Sequence, residues 1–286
     1  MTWTRSLLKY PGGKYALLEA IDQALPRGGL DLYVEPFLGG ASVALNIGRR
    51  YPKMLLNDAN PDLIRFWQQI AKNPSGVLDE IHKLVGRLST FKSKEVYLKV
   101  RENFNLRSSD DATHAAMFYF LNKQGFNGLI RYNANRQFNV PHGNYKKFPT
   151  INYESIQDVS SILSGNVHLY SQDWNRFLQR VVLPKIESGR KALVYFDPPY
   201  IPVSDSSNFT TYWQAFGIKQ HEKLCSVIDT LTEMDVRCIL SNSKTEETEQ
   251  IFKNYNFIEV QAPRSISCKG NGRGSISEYL ITNFKA

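Results

Sequence analysis

Asp197-Pro198-Pro199-Tyr200 joins a carboxylate, two rigid imino acids and an aromatic ring at the end of the apolar run Ala192-Leu193-Val194-Tyr195-Phe196. The run reads as a buried β-strand, and ligands of open α/β sheets gather at the carboxyl ends of strands. The chemistry that suits these groups is methylation of the exocyclic amine of a nucleobase. Such an amine is a poor nucleophile because its lone pair is delocalised into the ring. Donating one N–H to Asp197 and the other to the carbonyl of Pro198 would pull the nitrogen toward tetrahedral geometry. Pro198 and Pro199 fix φ and keep both acceptors aimed, while Tyr200 offers a π-face to an unstacked base. By itself the tetrapeptide also fits a strand that ends in a Pro-Pro turn with a helix-capping aspartate, so the remainder of the chain decides.

Further polar stations sit where other strands should end. Pro36-Phe37-Leu38-Gly39-Gly40-Ala41-Ser42 follows the strand Leu32-Tyr33-Val34-Glu35 as a tight turn whose glycines admit a ligand to the backbone. It lacks the three spaced glycines of a dinucleotide site, and no P-loop is present. Asp58 ends the next strand, Met54-Leu55-Leu56, and is placed to accept from ribose hydroxyls. S-adenosylmethionine, an adenosine-bearing cofactor without a pyrophosphate, meets that description; a plain glycine turn and a helix-opening acid meet it equally. Lys9-Tyr10-Pro11-Gly12-Gly13-Lys14 brackets a stackable ring between two lysines, one for a cofactor carboxylate and the other for a base edge or phosphate. Asp173, in Ser171-Gln172-Asp173-Trp174, is either an acceptor for the cofactor's adenine amine or the cap of the next helix.

The chain's 286 residues suffice for one α/β domain with a large insertion or for two small domains. A content of 42% hydrophobic and 12% aromatic residues supports a packed core. No stretch nears the roughly 20 apolar residues of a membrane span, and no apolar signal core follows the N-terminus, so a soluble cytoplasmic protein is expected. Cys225, Cys238 and Cys268 are far apart and suit a reducing compartment, and the histidines are scattered, so no metal is expected. A net charge of +8 favours a polyanionic partner such as nucleic acid.

Strand and helix signals alternate at both ends of the chain, which predicts a doubly wound, largely parallel sheet. A helical pattern is expected through Val43, Ala44 and Ile47, and a further helix opens at Asn60 as N-cap with Pro61 behind it. Residues 61–152 interrupt the alternation with helical patterns over 62–71, 77–88, 94–104 and 112–122. An aromatic, amide-rich loop or hairpin from Gly125 to Lys147 follows. Strands resume at 167–170, 193–196 and 237–241, a helix runs through Leu224, Val227, Ile228 and Leu231, and 277–283 reads as an edge strand. The division is therefore a catalytic domain of residues 1–60 and 153–286 carrying an inserted recognition domain, 61–152. Within the insertion, Arg131 beside Asn127, Gly128 and Asn133 is the candidate base reader, since a guanidinium matches guanine O6 and N7. Lys146, Lys147 and the segment 264–273 are candidate phosphate contacts or exposed charge.

Taken in order, these segments resemble the Dam family of DNA adenine-N6 methyltransferases over nearly the whole chain. The likeness runs through Leu8 to Lys14, Val34 to Gly40, Asn57-Asp58, Phe120-Leu121-Asn122, Asn127-Gly128-Leu129 with Arg131-Tyr132-Asn133, Phe138 to Pro141, Asp197 to Tyr200 and Arg264 to Ser267. It implies a class I methyltransferase fold, Rossmann-like with helices on both faces of the sheet. It further implies S-adenosylmethionine as methyl donor, yielding S-adenosylhomocysteine, and an adenine flipped out of double-stranded DNA, commonly within GATC. By that likeness Tyr10, Lys14, Glu35, Pro36, Phe37, Gly39, Gly40, Ser42, Asp58, Asp173, Trp174 and Asp197 belong to the cofactor pocket. Lys9, Asn127, Leu129, Arg131, Asn133, Pro141, Asn144, Tyr145 and Lys146 belong to the DNA face, with Leu129 wedged into the stack. Tyr10 stands where tryptophan is common, and Asn144 where arginine is, which removes one positive charge from that face. A monomer of bacterial or phage origin is the corresponding expectation. The rival expectations are the same chemistry on another DNA site, on cytosine N4 or on RNA, or a non-catalytic DNA-binding regulator.

Overall fold

The computed structural model describes residues 2–145, 147–149, 152–202, 216–263 and 275–285. Lys146, Cys268 and the segment 264–273 lie outside the described residues. Seven strands form one sheet: β1 (Leu32–Glu35), β2 (Lys53–Asn57), β3 (Val167–Tyr170), β4 (Ala192–Phe196), β5 (Arg237–Ser243), β6 (Asn256–Pro263) and β7 (Ser275–Thr282). Their order is β3-β2-β1-β4-β5-β7-β6. All neighbours are parallel except β7, which runs antiparallel to both β5 and β6. This is the doubly wound class I methyltransferase arrangement. The chain winds outward from β1 to β3, then returns to the other side of β1 as β4, so the topological switch lies between β1 and β4.

The period of two along each central strand splits the apolar residues between two cores. Tyr33, Met54, Leu56, Leu193, Tyr195, Ile239 and Leu280 face one core; Leu32, Val34, Leu55, Val194, Phe196, Leu240 and Ile281 face the other. The first core is roofed by α1 (Leu18–Gln23), α2 (Pro61–Lys72), α3 (Pro74–Gly86), α4 (Ser93–Leu106), α5 (Asp111–Gln124) and α6 (Tyr153–Leu163). The second is covered by α7 (Trp174–Phe177), α8 (Leu183–Glu187), α9 (Ile218–Glu233) and α10 (Glu246–Ile251). α2 starts as its sequence requires: Asn60 accepts from the N–H groups of Asp62 and Leu63 at 3.0 and 3.4 Å behind Pro61. α5 is buried almost all round and packs against α2, α3 and α4.

Two expectations need correction. Residues 41–47 do not form an α-helix. Ala41 takes φ 59°, and although Leu45 and Ile47 N–H reach back four residues to Ala41 and Val43, those of Gly48 and Arg49 reach back five, to Val43 and Ala44, so no regular α ladder runs through the segment. Val43, Ala44 and Ile47 are buried nonetheless. The C-terminal strand is not an edge strand: β7 is paired on both sides and β6, unrecognised from sequence, is the edge. The polar residues that made β7 resemble an edge have inward tasks. Glu278 lines the central cavity, and Asn283, just beyond the strand, bonds the backbone of Cys238 and Val236, at 2.8 Å each.

Asn57, the last residue of β2, is fully buried and ties three strand ends together. Its Nδ2 donates to the carbonyls of Pro36 and Gln172 at 3.0 Å, and its Oδ1 accepts from the Gln172 N–H, also at 3.0 Å. Asn57→Ala would leave these backbone groups buried without partners. We expect a loss of about 2–4 kcal/mol, read as a lower urea midpoint at unchanged m-value.

Candidate active site

The carboxyl ends of β1, β2 and β4 open into a cavity of about 240 Å³ whose walls include Lys14, Glu35, Asp58, Trp174, Asp197 and Glu278. Its acidic centre is Asp197, placed directly after β4. The Lys14 ammonium, only 5% exposed, lies 3.0 Å from Asp197 Oδ1, donates to the Gly12 carbonyl, and sits 4.7 Å from the centroid of the Tyr200 ring. The Tyr200 hydroxyl donates to Glu278 Oε2 at 2.9 Å. Burial pushes the Asp197 carboxyl up to about 6 even though Lys14 opposes the shift. Pro198 is buried and Ile201 is pinned to β5, its N–H on Asn242 Oδ1 at 3.3 Å and its carbonyl accepting from Ser243 Oγ at 2.6 Å. The Asp-Pro-Pro-Tyr turn is thus held at both ends.

Asp58 Oδ2 accepts from Gly39 N–H at 3.0 Å and Oδ1 from Asn60 N–H at 2.9 Å. Burial raises its carboxyl above the usual range while these two donors pull it back. Glu35 is buried beneath, accepting from the Tyr33 hydroxyl at 2.8 Å, and desolvation raises it further still. The glycine turn lines the cavity, and its missing side chains also make room for a neighbour. A Cβ on Gly39 or Gly40 would stand 2.8 Å from Tyr10, so the smallness of these residues seats the Tyr10 side chain. Gly39, at φ 48°, also needs glycine for its backbone conformation. Phe37, Trp174 and Phe216 form an aromatic cluster on the opposite wall, Phe37 lying 5.9 Å from Trp174 and 5.5 Å from Phe216. Asp173 is exposed and absent from the wall; its Oδ1 caps α7, accepting from Asn175 and Arg176 N–H at 3.1 Å.

The second half of the site is the hairpin that follows α5, closed by the bridges Gly125↔His142 and Tyr132↔Phe138. It reaches the cavity through Ile130 and Tyr132. Asn122, fully buried in α5, clamps the N-terminal segment to it: Oδ1 takes the Lys9 N–H at 2.9 Å, and Nδ2 gives to the Lys9 and Gly128 carbonyls at 2.8 and 2.9 Å. The Lys9 ammonium then lies 4.3 Å from the Tyr145 ring centroid and 3.3 Å from the Lys123 carbonyl. Burial, with Lys9 adding, pushes the Lys123 ammonium down to about 8. Asn127 takes φ 54° at the turn and is exposed with Pro141 and Asn144, while Leu129 is half-buried. Arg131 donates through Nε to Asn139 Oδ1 at 2.9 Å and through an NH2 group to the Asn139 carbonyl at 3.3 Å, which fixes the direction of its guanidinium. Asn133 is committed to the hairpin tip, bonding Gln137 on both its backbone and side chain.

Sequence reasoning missed the scaffold of this hairpin. Tyr97, Arg101 and Asn105 recur every fourth residue along one face of α4. Tyr97 and Arg101 donate to the Val140 carbonyl at 2.9 and 3.0 Å, and Asn105 bonds both the N–H and carbonyl of Phe138, at 2.8 and 3.1 Å. The spacing was visible, but polar residues on a helix read as a solvated face. Glu278 was missed for its distance along the chain, and Phe216 for want of any neighbouring pattern. Among the described residues no group of three or more His, Cys, Asp or Glu is placed to hold a metal ion, and no helix is long and apolar enough to cross a membrane.

Fold and site together define a class I methyltransferase with an Asp-Pro-Pro-Tyr turn at the carboxyl end of its central strand. The profile of the D12 class N6 adenine-specific DNA methyltransferase family matches residues 10–266. The chain is 34% identical over 281 residues to a DNA adenine methylase of Vibrio cholerae, covering 96% of this chain and 95% of the relative. It is 33% identical over 283 residues to the DNA adenine methylase of Escherichia coli K12, covering 98% and 95%. A type II methyltransferase of Lactococcus lactis subsp. cremoris is 31% identical over 285 residues, covering 98% and 95%. The chain belongs to the D12 class of N6 adenine-specific DNA methyltransferases, enzymes that methylate adenine N6 in DNA.

With Asp197 as acceptor of an amine hydrogen, the ionised carboxylate would accept far better than the neutral acid, so activity should be highest above its pKa and fall as pH drops through it. We expect an acid limb near pH 6 in kcat/KM. Lys14→Met should move that limb upward, because Lys14 is the cation holding the value down.

Proposed function

We propose that the enzyme takes its methyl group from S-adenosylmethionine, acts on adenine extruded from double-stranded DNA, and reads GATC. The observation that carries this reading is a desolvated carboxylate, Asp197, flanked by a lysine and an aromatic ring at the mouth of an adenosine-sized cavity.

The cavity suits the donor chemically. Asp58 presents two carboxylate oxygens already aimed by backbone N–H groups, a geometry for ribose hydroxyls. Phe37 and Trp174 offer faces for an adenine, with Pro36 and Ser42 beside them, and the carboxylates outnumber Lys14, which favours a cationic ligand. S-adenosylmethionine, when bound, supplies the methyl group from its sulfonium. The chain's own residues then bind and orient the acceptor. Tyr200, with Lys14 over its ring and its hydroxyl on Glu278, presents a stacking surface to the flipped base. Asp197 and the Pro198 carbonyl accept the two amine hydrogens, and Pro199 keeps the turn rigid. The lone pair would thereby be directed at the methyl carbon; breaking its bond to sulfur would leave S-adenosylhomocysteine, and the proton of the cationic N6 would pass to water.

In this reading residues 61–152 serve as the target-recognition part and the remainder as the catalytic part. Arg131, aimed by Asn139, reads a guanine; Lys9 with Tyr145 reads a second base pair. Leu129 fills the place of the extruded adenine, and Asn127, Asn133, Pro141 and Asn144 shape the contact surface. The test is transfer of labelled methyl to duplexes differing from GATC at single positions. GATC should be methylated fastest, and Asp197→Ala should abolish transfer while leaving duplex affinity within a few-fold. Arg131→Ala should relax discrimination at one base pair by about 1–3 kcal/mol. Equal loss on every duplex, with the salt slope reduced by about one, would make Arg131 a phosphate contact instead.

A further inference from the structure

The first turn of α2, which adjoins Asp58, and the hairpin that carries Arg131 are joined through Arg107, beside Tyr132 of the hairpin, whose hydroxyl faces Asp62 and Asn60. This residue follows α4 in the left-handed conformation, φ 54°. Its NH1 and NH2 donate to Asp62 Oδ1 and Oδ2 at 2.6 and 3.0 Å, and NH2 also reaches the Arg136 carbonyl at 3.1 Å. Asp62 is only 2% exposed and takes a further bond from His114 Nε2 at 3.0 Å. Burial alone would raise the Asp62 carboxyl, but the hydrogen bonds from His114 and Arg107 outweigh it and hold the group below the usual range. From Asp62 the connection to the cavity is short. Asn60 caps the turn that begins α2, and its own N–H holds Asp58 Oδ1. From Arg136 the connection to the hairpin is shorter still, since its N–H bonds the Asn133 carbonyl at 2.9 Å.

We propose that Arg107 is a positioning residue that couples cofactor binding at Asp58 to DNA reading by the 131–138 hairpin. One planar fork serves an anion on the cofactor side and a carbonyl on the hairpin side, so an ordering of either end favours the other. The proposal rests on the roles given above to Asp58 and Arg131. Coupling of this kind is reciprocal: each ligand must tighten the other by the same factor. A strut with a purely structural role would alter melting temperature and leave that factor untouched.

The test uses the full chain. Affinity for the duplex methylated fastest is measured by anisotropy with and without S-adenosylhomocysteine, and affinity for S-adenosylhomocysteine by calorimetry with and without duplex. The wild type should show tightening of tenfold or more in both directions. Arg107→Met should reduce it below threefold, with S-adenosylhomocysteine affinity in the absence of DNA within twofold of wild type. Preference for the best duplex over single-position variants, as a ratio of kcat/KM, should fall about tenfold. Full coupling in Arg107→Met, or none in the wild type, overturns the proposal. If Arg107→Met melts below the assay temperature, Arg107→Lys carries the same test, because an ammonium can reach Asp62 or the Arg136 carbonyl but lacks the fork to hold both. A wild type that transfers no methyl group and binds no S-adenosylhomocysteine sinks the functional reading, and this inference with it. A wild type that does both and couples, beside a variant that still couples, sinks only the inference.

Discussion

The site depends on keeping one carboxylate ionised in a place that disfavours ions. Asp197 sits at the carboxyl end of the most central strand, where desolvation pushes its carboxyl upward. Lys14 is the opposing charge, and it arrives from the N-terminal segment, far from β4 in sequence. The balance leaves Asp197 raised to about 6, with Lys14 opposing the effect of burial. A fully solvated aspartate would be a weaker hydrogen-bond acceptor toward an amine, since water would compete for its oxygens. A fully buried one without Lys14 would be neutral and accept poorly. The intermediate state is the usable one, and it explains why the lysine contacts the carboxylate and the aromatic ring together.

The same logic governs the backbone around it. Parallel strands deliver their carboxyl ends to one edge of the sheet, but loops leaving that edge would wander unless cross-linked. Asn57 links the ends of β1, β2 and β3, Asn242 and Ser243 hold the residue after Tyr200, and Asn122 joins Lys9 to Gly128. Asn57 and Asn122 suit this task because one amide side chain both donates and accepts, which satisfies a backbone N–H and a carbonyl together. Hydrophobic packing sets the two cores. These amides set the register of the loops that carry function.

Much of this was legible in the sequence because local rules and long-range roles coincide in particular residues. The apolar runs of β1, β2 and β4 end in Glu35, Asn57-Asp58 and Asp197, so strand and site were found together. Asn60-Pro61 announced α2 through capping chemistry alone. What stayed hidden depends on partners distant in the chain. The polar spacing of Tyr97, Arg101 and Asn105 acquires meaning only when 138–140 lies alongside. Glu278 looks like an edge-strand residue until β7 is seen inserted between β5 and β6. The expected helix at 43–47 has the expected burial but mixes four- and five-residue hydrogen bonds, because burial is read from polarity and a widened turn is not.

The glycine turn shows how a correct expectation can rest on an incomplete cause. Gly39 and Gly40 were read as space for a ligand, yet their missing side chains are filled by Tyr10, at distances no Cβ would tolerate. Tyr10 is itself a wall of the cavity. The glycines therefore line the pocket and also shape it, by letting an aromatic ring from the N-terminal segment lie flush on the turn after β1. The same segment supplies Lys14 to Asp197 and Lys9 to the hairpin face. Residues 9–14 thus touch the glycine turn, the Asp197 carboxylate and the hairpin after α5 at once. Their order, lysine, ring, two glycines, lysine, is the spacing needed to span those three places, and this is a stronger reason for the glycine-rich loop than turn formation alone.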